Sequence, residues 1–233
     1  MAKPTSKSVS DAELLATLKT RLFTAVVGDV LDKMGLRHQF LPPGINPLQP
    51  GTRIAGRAMP VLEADVFDEE GSGKGPLAAV PFGLMFEALD QLKTGEIYVA
   101  SMPIPRYAMW GGLMTTRALQ LKAAGAVIDG YVRDAGEIET LGFPVFCRGL
   151  YAQDQGPRGK VVDYRCAIEI GGIRIAPGDL VYGDREGVLI IPRAAEDEAI
   201  RRALEKAATE NRVADAIRKG MSTVEAFKTF GVM

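Results

Sequence analysis

Residues 110–134, W-G-G-L-M-T-T-R-A-L-Q-L-K-A-A-G-A-V-I-D-G-Y-V-R-D, restrict what this chain can fold into more than any other stretch. Gly111 and Gly112 lead into a segment, residues 113–124, in which Leu113, Ala118, Leu121 and Ala124 recur at helical spacing. Gly125 follows as an expected helix stop. The apolar run 126–128 then reads as a buried parallel strand that empties into Asp129-Gly130-Tyr131-Val132-Arg133-Asp134. Helix, short connection and strand in that order imply an α/β sheet. A helix that opens on glycines presents unpaired amides to an anion. Arg133 adds a planar, permanently charged fork. Asp134 adds hard oxygen suited to a divalent cation.

The rest of the chain supplies alternating elements. Residues 11–22 read as a helix with Ser10 as its N-cap and Glu13 in the capping-box position. Residues 24–34 make a second helix stopped by Gly35, and residues 36–51, with four prolines, read as loop. Strands are expected at 52–62, 96–101 and 143–147, and helices at 82–92 and from Asp134 to a stop at Gly142. From 160 to 192 the pattern turns to β: 161–170 alternates, Gly171-Gly172 turns a hairpin into 173–175, and strands at 180–182 and 188–191 flank G-D-R-E-G. The last 40 or so residues are charged and helical, divided at Gly220. No repeat or Pro/Ser linker divides the chain, so a single α/β domain over 1–233 is expected, with helical ends at 1–20 and 194–233.

Composition closes off several classes of function. A net charge of -1 gives no bulk attraction to nucleic acid or to an anionic membrane. No run approaches the length of a spanning helix, and the polar stretch 1–10 lacks the apolar core of a signal peptide. Cys147 and Cys166 form no C-x-x-C and are expected as reduced thiols, which fits a cytoplasmic protein. One histidine, His38, in the polar turn L-R-H-Q-F, rules out a His-rich metal site and is expected at the surface. G-S-G-K-G at 71–75 lacks the spacing of a phosphate loop, so 63–75 is expected as a mobile surface loop.

Each site residue has a plainer reading. Arg133 could sit in a surface ion pair, but the carboxyl end of a strand beside a glycine turn favours ligand binding. Asp134 opens D-A-G-E, itself a capping box with Glu137, so capping and metal binding stand even. Asp129 reads as a buried hydrogen-bonding residue. Asp179 and Asp184 read as turn residues. Tyr107, Met109 and Trp110 could line a pocket, with core packing favoured for at least two of them.

The blocks T-A-V-V-G-D-V-L-D-K-M-G (24–35), P-G-T-R-I-A-G-R-A (50–58), W-G-G-L-M (110–114), I-D-G-Y-V-R-D (128–134) and P-G-D-L-V-Y-G-D-R-E-G-V-L-I-I-P (177–192) together resemble the family of 4-hydroxy-4-methyl-2-oxoglutarate aldolases and regulators of ribonuclease E activity. The resemblance runs in order from about Ala12 to Met233, and D-G-x-V-R-D is its most specific part. It implies an α/β/β core of the swivelling phosphohistidine type, assembled as homotrimers or homohexamers with sites between subunits. It implies a class II pyruvate aldolase acting on a 2-oxo acid with Mg²⁺ or Mn²⁺, and oxaloacetate decarboxylation shares the same enolate chemistry. Arg133 matches the family's catalytic arginine and Asp134 its metal aspartate. Gly111 and Gly112, with the amides of Leu113 and Met114, match the carboxylate-binding turn. Glu210, or alternatively Glu205, matches a metal-site glutamate lent by a neighbouring subunit. Gly112 departs from the pattern, because aldolase-like members carry an acidic residue 21 positions before the arginine. Glu96, Asp129 or a carboxylate in 63–70 is the expected substitute. The block contains no lysine placed for a Schiff base, since Lys122 is expected on the helix surface. The rival expectations are a ribonuclease regulator without catalysis and a lyase on a sugar-derived 2-oxo acid.

Overall fold

A computed structural model describes residues 10–67, 72–102, 104 and 106–232. The absence of a signal peptide in 1–10 and the character of the 68–71 part of the glycine-rich loop therefore fall largely outside the described residues.

The chain begins with α1 (Asp11–Arg21) and α2 (Thr24–Lys33). The Ser10 side chain caps α1 by accepting from the Glu13 amide. Then come β1 (Asn46–Pro47), β2 (Ile54–Asp65), α3 (Met85–Asp90), β3 (Glu96–Ser101), β4 (Ala108–Trp110), α4 (Gly112–Gln120), β5 (Gly125–Val132), α5 (Ala135–Leu141) and β6 (Val145–Leu150). The β-rich part holds β7 (Gly159–Tyr164), β8 (Ile168–Ile170), β9 (Ile173–Ile175), β10 (Leu180–Asp184) and β11 (Gly187–Ile191), and α6 (Glu196–Arg218) and α7 (Thr223–Phe230) close the chain.

The main sheet runs β1-β6-β5-β3-β2-β10-β11, with β4 added on β5 and β7 on β2. Its centre, β2-β3-β5-β6, is parallel, and β10 and β11 join antiparallel. The segment before β1 bridges the two ends of this path. Leu41 donates to Val188 O (2.8 Å) and Ile190 to Gln39 O (2.9 Å) on β11, while β1 itself pairs with β6. The sheet thus nearly closes on itself. The inside holds Ile54, Ala58, Ile97, Val99, Val127, Phe146, Val181 and Ile190, with the β8–β9 hairpin packed into it through Ile168, Ile170, Ile173 and Ile175. The opposite faces of the same strands carry two outer layers, one against α3, α4 and α5 and one against α1, α2 and α6. This is the expected α/β/β swivelling architecture.

Several boundaries differ from expectation for local reasons. Helix α4 stops at Gln120 because Lys122 turns left-handed (φ 59°); Gly125 is instead the first residue of β5. A Cβ on Gly125 would lie 2.6 Å from Pro144 O and 2.5 Å from Ile54 Cδ1, so close packing, not helix termination, requires glycine there. Residues Glu63 to Asp65 are strand, not loop, and Glu63 is buried. Helix α3 begins only at Met85 because Phe82 (φ 60°) and Gly83 (φ 61°) are left-handed. The 161–170 run is broken at Arg165 (φ 55°). Residues 36–51 contain β1, and β4 was not expected at all.

Asp184 does more than shape a turn. Its buried carboxylate accepts from the Thr24 amide (2.8 Å), the Thr24 hydroxyl (2.7 Å) and the Glu186 amide (2.9 Å), so it ties the first turn of α2 to the β10–β11 turn. Asp184→Ala strands those donors in a dry place and should lower the unfolding free energy by about 2–3 kcal/mol. Urea denaturation measures this, and a midpoint equal to wild type would refute it.

Candidate functional site

Strand β4 and the turn after it bring the site together. The Trp110 ring is fully buried between Tyr98 (centroids 5.1 Å) and Phe143 (6.0 Å, stacked). Its Nε1 donates to Thr115 Oγ1 (2.8 Å), and that hydroxyl donates to Gly111 O (3.0 Å). The aromatic core therefore fixes the Trp110-Gly111-Gly112 turn. Tyr107, Met109 and Trp110 are all core residues.

Two further bonds join this turn to the end of β5. The Arg133 amide donates to Trp110 O (3.0 Å), and the Gly112 amide donates to Asp134 Oδ2 (3.1 Å). Gly111 is extended (φ -158°), so its backbone alone does not demand glycine. A Cβ there would lie 2.8 Å from Asp134 Oδ2 and 3.3 Å from Arg133 Cγ, so any larger residue would push the Asp134 carboxylate out of its place.

Asp134 occupies the N-cap position of α5 but does not cap it. Its backbone is left-handed (φ 57°, ψ 34°) and its side chain makes no bond to the helix amides. The capping-box alternative is thereby overturned. The carboxylate points at Gly112 instead, and Oδ1 takes no partner among the described residues. A non-glycine residue held left-handed at the edge of a cleft is the kind of local strain that accompanies a functional site.

Arg133 is half exposed. Its Nη1 meets Asp154 Oδ1 at 2.7 Å, and its Nε lies 3.9 Å from Asp134 Oδ2. Asp154 was not anticipated from sequence. Pairing between Ala108 and Asp154, with Ala108 N donating to Gln153 O (2.8 Å), carries it in beside β5. The only sequence trace was an acidic residue in the polar turn after β6.

Helix α4 points its first turn at the same place. Thr115 is its first amide with a main-chain acceptor, Gly111 O at 3.0 Å. The amides of Leu113 and Met114 take no acceptor among the described residues. Two open N–H groups, Arg133 and Asp134 thus share one rim. A cleft of about 300 Å³ lies against Arg133, Asp134, Leu150 and Tyr151, and a neighbouring one of about 580 Å³ adds Arg106 and Arg158.

Other candidates lie elsewhere. Asp129 is buried and bonded to Arg148 Nε (2.6 Å), and Glu96 is bonded to Arg165, so neither is free to replace an acid at position 112. Glu210 pairs with Lys206, which also meets Asp29 (2.9 Å) of α2; Glu205 pairs with Arg201 (2.7 Å). Neither glutamate joins the site within one subunit among the described residues. His38 is exposed, and Cys147 and Cys166 are unpaired thiols. No described helix is long and apolar enough to cross a membrane.

The donor set suits a hard divalent cation. Asp134 offers one open carboxylate oxygen at the cleft. No group of three or more His, Cys, Asp or Glu converges among the described residues, as a full protein cage would require. One or two carboxylates with the remaining positions left to water is the arrangement Mg²⁺ or Mn²⁺ accepts.

Comparison with known proteins places the chain in a family. The chain is 30% identical over 203 residues to Protein DlpA of Legionella pneumophila, covering 87% of this chain but only 31% of that much longer protein. It is 31% identical over 206 residues to a protein named "Putative 4-hydroxy-4-methyl-2-oxoglutarate aldolase" from Halalkalibacterium halodurans, covering 88% of this chain and 89% of the relative. A solved structure of an uncharacterized protein from Pseudomonas syringae pv. tomato superposes with a TM-score of 0.82 at 29% identity, over 99% of this chain and 100% of that one. The model of the RraA-like family, Aldolase/RraA, matches residues 24–190, and the chain belongs to that family.

Proposed function

We propose that the protein is a divalent-metal-dependent pyruvate aldolase that cleaves a 4-hydroxy-2-oxo acid of the 4-hydroxy-4-methyl-2-oxoglutarate type. The observation that carries this reading is Asp134, which stands in a helix-capping position yet turns its carboxylate away from the helix, toward Arg133 and the open end of α4. The name of the Halalkalibacterium relative supports the same reading.

In this scheme the Leu113 and Met114 amides take the substrate carboxylate, and the guanidinium of Arg133 faces the 2-oxo oxygen. Cleavage breaks the C3–C4 bond as the 4-hydroxyl passes its proton to a water in the cleft and becomes a carbonyl. The electron pair moves into the pyruvate enolate, which then takes up a proton at C3. Arg133 stays cationic as this negative charge develops and so stabilises it. A cation held by Asp134 would supply Lewis-acid charge beside the same oxygen. Oxaloacetate decarboxylation leads to the same enolate and fits the same residues. Leu113 is 84% exposed at the rim, an apolar side chain of the kind a second subunit covers. A homotrimer or homohexamer in which Glu210 of the partner subunit completes the cation site is consistent with that.

The test is pyruvate release, coupled to lactate dehydrogenase and NADH, from 4-hydroxy-4-methyl-2-oxoglutarate and from oxaloacetate against enzyme-free controls. Release should require Mg²⁺ or Mn²⁺, fall to background in EDTA and return when metal is restored. No release from either compound with either metal would defeat this reading. Gly112 would then favour the rival, a protein-binding regulator of a ribonuclease, for which a pull-down is the next measurement.

A further inference from the structure

We propose that Glu137, on α5, provides the second carboxylate of this site, in the space that a side chain at position 112 would otherwise fill. The inference rests on the cation-dependent reading above and adds a residue to it. A Cβ built on Gly112 would lie 2.1 Å from Glu137 Oε2, 2.6 Å from Cδ and 3.2 Å from Oε1. The Glu137 carboxylate therefore already occupies the volume where any residue-112 side chain would start. Gly112 is pinned by two acids at once: its amide donates to Asp134 Oδ2, and its open α-carbon faces Glu137.

The local geometry explains how Glu137 comes to be there. Glu137 is the third residue of α5, where a capping-box glutamate would reach back to the N-cap amide. Asp134 is left-handed and does not cap, so that reciprocal arrangement is not formed. The Glu137 amide donates to Asp134 O (3.0 Å), but its carboxylate has no hydrogen bond and no ion pair among the described residues. Arg133 lies 3.9 Å from Asp134 and 2.7 Å from Asp154, and Arg158 Nη1 also reaches Asp154 O (3.0 Å), while Glu137 has no cation partner among the described residues. Asp134 and Glu137 then bring two carboxylates to Gly112 with little cationic compensation, and like charges there repel. A divalent cation between Asp134 and Glu137 would cancel that repulsion.

The experiment is titration of the purified protein with Mn²⁺ alone, without substrate, read by calorimetry and by loss of the free-ion electron paramagnetic signal. Glu137→Gln should weaken binding at least tenfold with an unchanged circular dichroism spectrum. Asp134→Asn should weaken it as well. The double variant Gly112→Asp/Glu137→Ala, which returns a carboxylate from the other side of the same space, should recover to within about threefold of wild type, as expected where one group replaces another. Wild-type affinity in Glu137→Gln, with binding lost in Asp134→Asn, would overturn the role of Glu137 and leave the metal reading intact. Equal affinity in all four proteins, or no Mn²⁺ binding by the wild type, would overturn both. A double variant no better than Glu137→Gln would show that the two positions do not share one function, and would also overturn the proposal.

Discussion

Arg133→Ala should cut pyruvate release at least a hundredfold, at saturating Mg²⁺ or Mn²⁺, while the protein stays folded. The two halves of this expectation have separate physical grounds. Arg133 contributes little to stability, because its side chain is 41% exposed and its one close ion pair, to Asp154, is also exposed. Pairs of that kind are worth about 0–1 kcal/mol. Its catalytic role is different in scale. It is the cation that lines the cleft beside Asp134, so the developing enolate loses its fixed positive partner when the side chain goes. Removing one such preorganised group typically costs about 10²–10³ in rate. Arg133→Lys keeps the charge but not the planar fork, so partial activity with a raised KM is expected. Freed of Arg133, the Asp154 carboxylate keeps only the Gly156 amide (3.1 Å) and puts uncompensated negative charge near an anionic substrate, so substrate affinity should fall together with turnover. Release from Arg133→Ala within a few-fold of wild type, with an unchanged melting curve, would remove the assignment.

How much of this site could be read from sequence depends on the distance over which each signal acts. The Trp110–Asp134 stretch was legible because glycine, helical period and apolar run all act within a few residues. Strand β3 lies at 96–101 as expected, since Gly95 and the apolar run 97–100 bound it. Gly125 was misread because a glycine between a helix and a strand gives the same local signal whether it ends the first or packs within the second. Only Ile54 and Pro144, far away in the chain, decide which. The D-A-G-E motif misled in the same way: it is a valid capping box, but a left-handed Asp134 bonded to Gly112 prevents it from forming. Asp154 gives no such local signal, and Glu137 reads only as the capping-box partner of Asp134. Asp154 reaches Arg133 through pairing of its loop with β4, itself an unexpected strand. The substitute acid was sought at Glu96, at Asp129 and in 63–70, and Glu96 and Asp129 turned out to be committed to Arg165 and Arg148.

Glu63 turned out to be neither a loop residue nor part of this site, and it underlies the second large expected effect. It lies near the end of β2, 3% exposed, and burial pushes its carboxyl up to about 8. The nearby Asp65 adds to that rise, and the Tyr107 hydroxyl beside it opposes it. Glu63 Oε1, Asp65 Oδ1 and the Tyr107 hydroxyl are all buried without a partner within hydrogen-bond geometry among the described residues. The sign follows from the raised value. Below about pH 4.5, its ordinary value, Glu63 is protonated in both folded and unfolded chains and costs nothing. Between there and about 8 the unfolded chain releases the proton while the folded chain keeps it, so stability falls as pH rises. At 1.36 kcal/mol per unit of difference, the loss approaches about 5 kcal/mol as an upper bound. Glu63→Gln keeps the shape, has no proton to lose, and offers an amide that Asp65 Oδ1 and the Tyr107 hydroxyl can accept. Its melting temperature should therefore exceed wild type at pH 8 by roughly 5–15 °C, at about 2–4 °C per kcal/mol for a chain of this size. At pH 5 the two proteins should melt close together. Because Arg133, Asp134 and Glu137 are untouched, pyruvate release at pH 7 should stay within about twofold of wild type, as for a change distant from the chemistry. Melting curves that shift in parallel from pH 5 to pH 8 would mean that Glu63 is ionised in the folded protein. Its buried carboxylate would then have to be met by solvent or by a cation at the end of β2.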